Sequence, residues 1–136
     1  MEPTERVTAY FDACTTGTPA EIAAHFTPDA VIYDTNIAPV RGAATIGEMW
    51  VTVRDRWQGA AWTVTSIVAE GDAAAIEWQM TGTDPRTRKR FVFRGSEHYR
   101  FAADTLIDEI RQYWTYDRDH LDTGLVGFPP HQGPAG

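Results

Sequence analysis

Tyr10, Asp34 and Glu97 are the side chains of this sequence best suited to moving protons. Asp34 closes a run of β-formers at 30–34. A carboxylate at a strand end either takes a proton as a general base or caps the loop that follows. Glu97 falls within a long strand pattern at 91–101, where alternation groups it with Gly95, Tyr99 and Phe101 and turns His98 the other way. Facing inward, Glu97 would be desolvated, its pKa would rise, and it could give a proton. Facing outward, it would pair with an arginine of a neighbouring strand. The apolar company favours the inward choice. Tyr10 shares a helical stripe with Val7, Phe11 and Cys14. Its hydroxyl either donates to a ligand oxygen or finds a partner in the core. Cys14 is the sole cysteine, so no internal disulfide is possible; it reads as a small buried hydrophobe. His25, His120 and His131 show no ligand spacing, so the pattern implies no metal site. There is no Gly-rich phosphate loop, and the expected chemistry uses no cofactor.

The elements that must hold these groups follow from periodicity. Residues 4–15 form a helix, capped by Thr4 and ended by Gly17. Thr18-Pro19-Ala20-Glu21 starts a short second helix with Ile22, Ala23 and Phe26 facing in, closed by Thr27-Pro28-Asp29. The strand at 30–34 leads to an irregular loop through Pro39 and Gly42. A third helix at 44–57 carries Ile46, Met49, Trp50, Val53 and Trp57 on one face. The period then changes to two. Strands are expected at 62–70, 73–83, 91–101 and 106–116, joined at Gly71-Asp72, at 84–88 and at Ala103-Asp104. Helices gathered before a meander define an α+β class, with the helices covering one face of a bent sheet around a cavity. On the last strand Ile110, Gln112 and Trp114 oppose Glu109, Arg111 and Tyr113. On the strand at 73–83, Ile76, Trp78 and Met80 oppose Glu77, Gln79 and Thr81, and the pattern leaves open which set faces the cavity. A domain over 1–120 is followed by an irregular Gly/Pro-rich tail at 121–136.

Composition narrows the partners. The chain has 136 residues, enough for one domain with a real core. A formal charge of −7 argues against a nucleic-acid backbone. The basic run Arg86, Arg88, Lys89 and Arg90 reads as a solvated hairpin tip. No apolar run has the length of a membrane span, and no secretory leader is evident, so no membrane partner and a cytoplasmic location are expected. The five tryptophans are a large amount of flat apolar surface for so short a chain; they either line a cavity or interface or make an aromatic-rich core.

This order of elements resembles the nuclear-transport-factor-2-like superfamily, and within it the SnoaL-like and ketosteroid-isomerase-like proteins. The resemblance rests on Phe26-Thr27-Pro28-Asp29-Ala30-Val31, on Val40-Arg41-Gly42, on Glu97-His98-Tyr99-Arg100-Phe101 and on Glu109-Ile110-Arg111-Gln112-Tyr113-Trp114. It implies a cone: a curved mixed or antiparallel sheet wrapped by three N-terminal helices. It implies Asp34 as the base. Tyr10, which precedes Asp34 by 24 residues, would be the oxyanion-hole donor. Glu97 stands where those isomerases carry a protonated Asp; it is one methylene longer, which suits a general acid as well as an oxyanion donor. Trp50, Trp57, Tyr99, Gln112 and Trp114 would bind substrate. The expected activity is acid/base chemistry on a hydrophobic, oxygenated small molecule: isomerisation, cyclisation, dehydration or epoxide hydrolysis. The alternative is a non-catalytic binding or dimerisation module of the same fold. A homodimer joined through the outer sheet face is expected in either case.

Overall fold

The computed structural model describes residues 1–119 and Pro129. The tail expected at 121–136 lies outside the described residues, Pro129 apart.

Helix α1, Pro3–Thr16, begins one step earlier than Thr4 suggests. Glu2 is the cap: it and Glu5 bond each other's backbone N–H, and Pro3 supplies a first-turn residue with no N–H to satisfy. Val7, Tyr10, Phe11 and Cys14 form its buried face. Helix α2, Pro19–Ala23, uses the expected Thr18–Glu21 capping box. It is shorter than expected. Phe26 is not helical; it opens strand β1, Phe26–Asp34. Gly47 of helix α3, Ala43–Arg56, lets α3 close on α2, since a Cβ there would stand 2.2 Å from the Pro19 carbonyl oxygen.

The loop expected through Pro39 is a strand, β2, Ile37–Arg41, antiparallel to β1. It lies at the sheet edge, where a residue without an N–H is tolerated. Strands β3 (Gln58–Glu70), β4 (Ala73–Thr83), β5 (Arg90–Phe101) and β6 (Ile107–Trp114) follow in a meander. The sheet therefore has six strands in the order β2-β1-β6-β5-β4-β3, and it is mixed because β1 runs parallel to β6. The fold is the α+β arrangement the pattern implied.

One sheet face packs under the helices. Ile76, Trp78 and Met80 are buried within the single chain, which settles the open choice on β4 in favour of the cavity. On β5 the buried set is Phe91, Phe93, Gly95, Glu97, Tyr99 and Phe101, with His98 exposed. Each large apolar side chain so buried contributes about 1.5–3 kcal/mol. Arg6 ties the closed end together. It donates to the carbonyls of Asp104 and Thr105 in the β5–β6 turn and to His25 Nδ1 at 3.0 Å. Among the described residues no helix is long and apolar enough to cross a membrane.

Candidate active site

All five tryptophans of the chain line one cavity of about 460 Å³. That is the size of a small-molecule site. Trp50 meets Trp62, and Trp78 meets Trp114, edge to face with ring centroids 5.7 Å apart in both pairs. Ile32, Met49, Val53, Met80 and Phe93 extend the apolar wall, while Asn36, Thr52 and Arg56 bring polar groups to it. Other grooves, such as that along Tyr33, Arg111 and Tyr113 on the outer sheet face, are shallow and open.

Strand pairing sets the polar groups in a row. Asp34 on β1 is opposite Gln112 on β6, and Gln112 is opposite Glu97 on β5. Neighbouring strands lie about 4.8 Å apart, so the two carboxyl residues flank Gln112 with backbones about 10 Å apart. Asp34 accepts from Gln112 Nε2 at 2.6 Å and from Trp114 Nε1 at 3.0 Å. It also accepts from the Asn36 backbone N–H at 2.7 Å and from Asn36 Nδ2 at 3.2 Å. It is thus a cavity wall and a loop cap at once. Four donors fill the acceptor sites of its two oxygens.

Glu97 stands deeper, in an inner chamber of about 10 Å³, room for one water at most. Tyr10, Cys14, Trp50, Trp62, Trp78 and Gln112 share that chamber. Burial pushes Glu97 up to about 8; the nearby Asp34 charge adds to this, and the Tyr99 hydroxyl, donating at 2.7 Å, opposes it. Glu97 is therefore a protonated acid at neutral pH. Burial likewise raises the Tyr10 hydroxyl and the Cys14 thiol, so both stay neutral. The indole N–H of Trp78 is buried and has no hydrogen-bond partner among the described residues, while that of Trp50 is buried beside the Tyr10 hydroxyl. Leaving such a donor unpaired costs about 1–3 kcal/mol. An acceptor oxygen entering the inner chamber would relieve that cost.

The expected site residues are thus sorted into two connected compartments. Tyr10 and Glu97 share the inner one, Asp34, Trp57 and Trp114 line the outer one, and Trp50 and Gln112 belong to both. Tyr99, expected on the wall, lines neither; its hydroxyl is committed to Glu97. Trp62, Trp78, Asn36 and Cys14 were not among the expected site residues. Alternation on β4 offered Trp78 as one of two choices, and the α1 stripe placed Cys14 beside Tyr10. Nothing in the local pattern marks Asn36.

Residues 7–115 match the SnoaL-like domain. None of the curated proteins matches the chain. Among solved structures, the chain is similar to a protein of unknown function with a cystatin-like fold from Methylobium petroleophilum PM1. The two are 31% identical over 85% of this chain and 77% of that one, with a TM-score of 0.72. It is also similar to a Catenulispora acidiphila DSM 44928 protein of ketosteroid isomerase-like fold in complex with trimethylamine. That match has 22% identity, covers 82% and 85% of the two chains, and has a TM-score of 0.74. A third is the epoxide hydrolase/cyclase-like enzyme SalBIII of pyran ring formation in the polyether salinomycin, at 21% identity, 83% and 90% coverage, and a TM-score of 0.72. A family match over most of the chain means that the chain belongs to the SnoaL-like domain family.

Proposed function

We propose that this protein is an acid/base enzyme acting on a hydrophobic, oxygenated small molecule. One observation carries the reading: Asp34, in the tryptophan-walled cavity, and a protonated acid, Glu97, in the small chamber behind it, flank Gln112, which lines both. Carboxyl groups held in different environments around one site divide into proton acceptor and proton donor. In this reading Asp34 removes a proton next to a carbonyl or hydroxyl. Glu97, with Tyr10 and the indole N–H of Trp78, holds or protonates the oxygen. Gln112 must turn its amide from Asp34 for the carboxylate to act. The reactions within reach are isomerisation, ring closure, dehydration and epoxide opening.

The test needs no knowledge of the natural substrate. With 2-tetralone in D₂O, the protein should accelerate deuterium uptake next to the carbonyl. Asp34→Asn should lower that rate by ~100-fold or more with little change in binding. Glu97→Gln should hurt less than Glu97→Ala, because an amide can still donate. No acceleration by the unmodified protein would sink the enzyme reading.

The second reading is a ligand-binding module without catalysis. The filled acceptor sites of Asp34 favour it. Binding of 2-tetralone without exchange is its signature. In either reading we propose a homodimer through the outer sheet face, where Tyr113 is 51% exposed. Sedimentation as a monomer at micromolar concentration would contradict that assembly.

A further inference from the structure

A basic hairpin stands beside the cavity mouth on a chain that is acidic overall. Strands β1 and β6 end at this side of the sheet, β3 begins there beside Thr83, and the β4–β5 turn stands over it. This topology gathers Arg56, Arg86, Arg88, Lys89, Arg90 and Arg118 there, six of the chain's 12 basic side chains. The formal charge of the whole chain is −7. Some of the local charge is answered. Asp84 is buried and holds Arg86 at 3.2 Å, Asp119 lines the same groove as Arg118, and Asp55 and Asp117 adjoin Arg56 and Arg118 in sequence.

Arg56 differs from its neighbour on α3. Arg54 is structural: it donates to the carbonyls of Cys14 and Gly17. Arg56 makes no hydrogen bond or ion pair with any described residue. It lines the cavity, where the sole other charged lining residue among those described is Asp34. Asp34 already has its donors, so Arg56 is the charged group left for a ligand. The Trp57 and Phe91 rings, 4.8 Å apart, form the short partition between Arg56's cavity and the hairpin groove of Arg86, Lys89, Arg90 and Arg118.

Resting on the small-molecule reading of the cavity, we infer that the ligand carries an oxyanion at the end remote from Glu97, held by Arg56 and steered by the basic hairpin. Its apolar body fills the tryptophan cavity. A guanidinium meets a carboxylate or a phosphate through two parallel hydrogen bonds, so either group satisfies the site. The hairpin charges raise the rate of capture more than the final affinity.

The test is calorimetric titration at low salt with three probes of one shape: 2-naphthylacetate, 2-naphthyl phosphate and 2-(2-naphthyl)ethanol. The anions should bind ~10-fold or more tightly than the alcohol. The larger gain of the two identifies carboxylate or phosphate as the natural group. In Arg56→Gln the preference should shrink to within about 2-fold, with alcohol binding unchanged. Arg56 is exposed, so this variant folds. Equal affinity for all three probes overturns the oxyanion inference and leaves the cavity reading standing. A preference that survives Arg56→Gln overturns the role of Arg56. Binding of none of the three overturns both the inference and the small-molecule reading.

Discussion

Trp78 and Trp114 meet over Gly95, their ring centroids 5.7 Å apart. Gly95 is the residue between them in register, paired to Trp78 on β4 and to Trp114 on β6. A Cβ there would stand 2.7 Å from Trp114 Cβ and 2.7 Å from Trp78 Cζ2. The missing side chain is what lets two indoles lie low on the sheet and leave a cavity above them. Gly95→Ala should therefore destabilise by about 1–3 kcal/mol and drive an indole into the cavity. Urea denaturation and 2-tetralone titration check the two effects. An unchanged midpoint would mean that the wall gives way freely.

Glu97 makes stability depend on pH. Its folded value of about 8 lies above the ordinary 4.5, so between these limits the native state holds a proton that the unfolded chain has lost. The contribution is full below pH 4.5 and is lost as pH rises to 8. The slope approaches about 1.4 kcal/mol per pH unit within that window. Glu97→Gln should flatten it and be more stable than the unmodified protein at pH 8. Denaturation midpoints from pH 4 to 9 for both proteins decide the matter.

Two tryptophans of the same wall should respond differently to losing their N–H. Trp78 Nε1 has no partner among the described residues, whereas Trp114 Nε1 donates to Asp34 at 3.0 Å. Trp78→Phe should cost under about 1 kcal/mol, because the removed donor was unpaired. Trp114→Phe should cost about 1.5–3 kcal/mol, the usual worth of a bond to a charged group. Equal losses would show that ring volume alone sets the stability of this wall.

At the closed end, burial first and the Arg6 charge second hold the His25 pKa below its ordinary 6.5. The neutral ring accepts from Arg6. Because the unfolded chain takes up the proton sooner, this end loses stability as pH falls from 6.5 towards the depressed value. Arg6→Met should move the His25 titration, followed by NMR, back towards 6.5. It should also cost about 1–3 kcal/mol by freeing the carbonyls of Asp104 and Thr105. A His25 titration unmoved by Arg6→Met would rule out the Arg6 charge as a cause.

Much of this was legible in local pattern. Period-two runs marked the four long strands, and Thr18–Glu21 marked the start of α2. Alternation turned Glu97 inward and put Gln112 and Trp114 on one face. What escaped depends on partners distant in sequence. Strand β2 is short, lies at an edge and contains Pro39, so its local signal is that of a loop. The facing of β4 follows from what covers it, not from its own residues. Two of Asp34's four donors, from Gln112 and Trp114, reach it only when β6 lies beside β1. The division into two chambers runs through Trp50, Trp62 and Trp78, which line both. Tyr99 looked like wall because its neighbours in the pattern are wall; its commitment to Glu97 is a matter of side-chain reach.

The parallel pairing of β1 with β6 has a consequence for synthesis. Asp34 and Gln112 touch across 78 residues of chain. A nascent polypeptide has α1 through β5 already synthesised before the strand that joins β1 to β5 exists. Until then Ile32 and Asp34 have β2 as their only sheet neighbour, and Glu97 has an open flank. The site is completed by the last strand to be made. Translation that stops short of β6 leaves a chain with both carboxyl residues, no row to hold them and a bare strand edge for chaperones to cover.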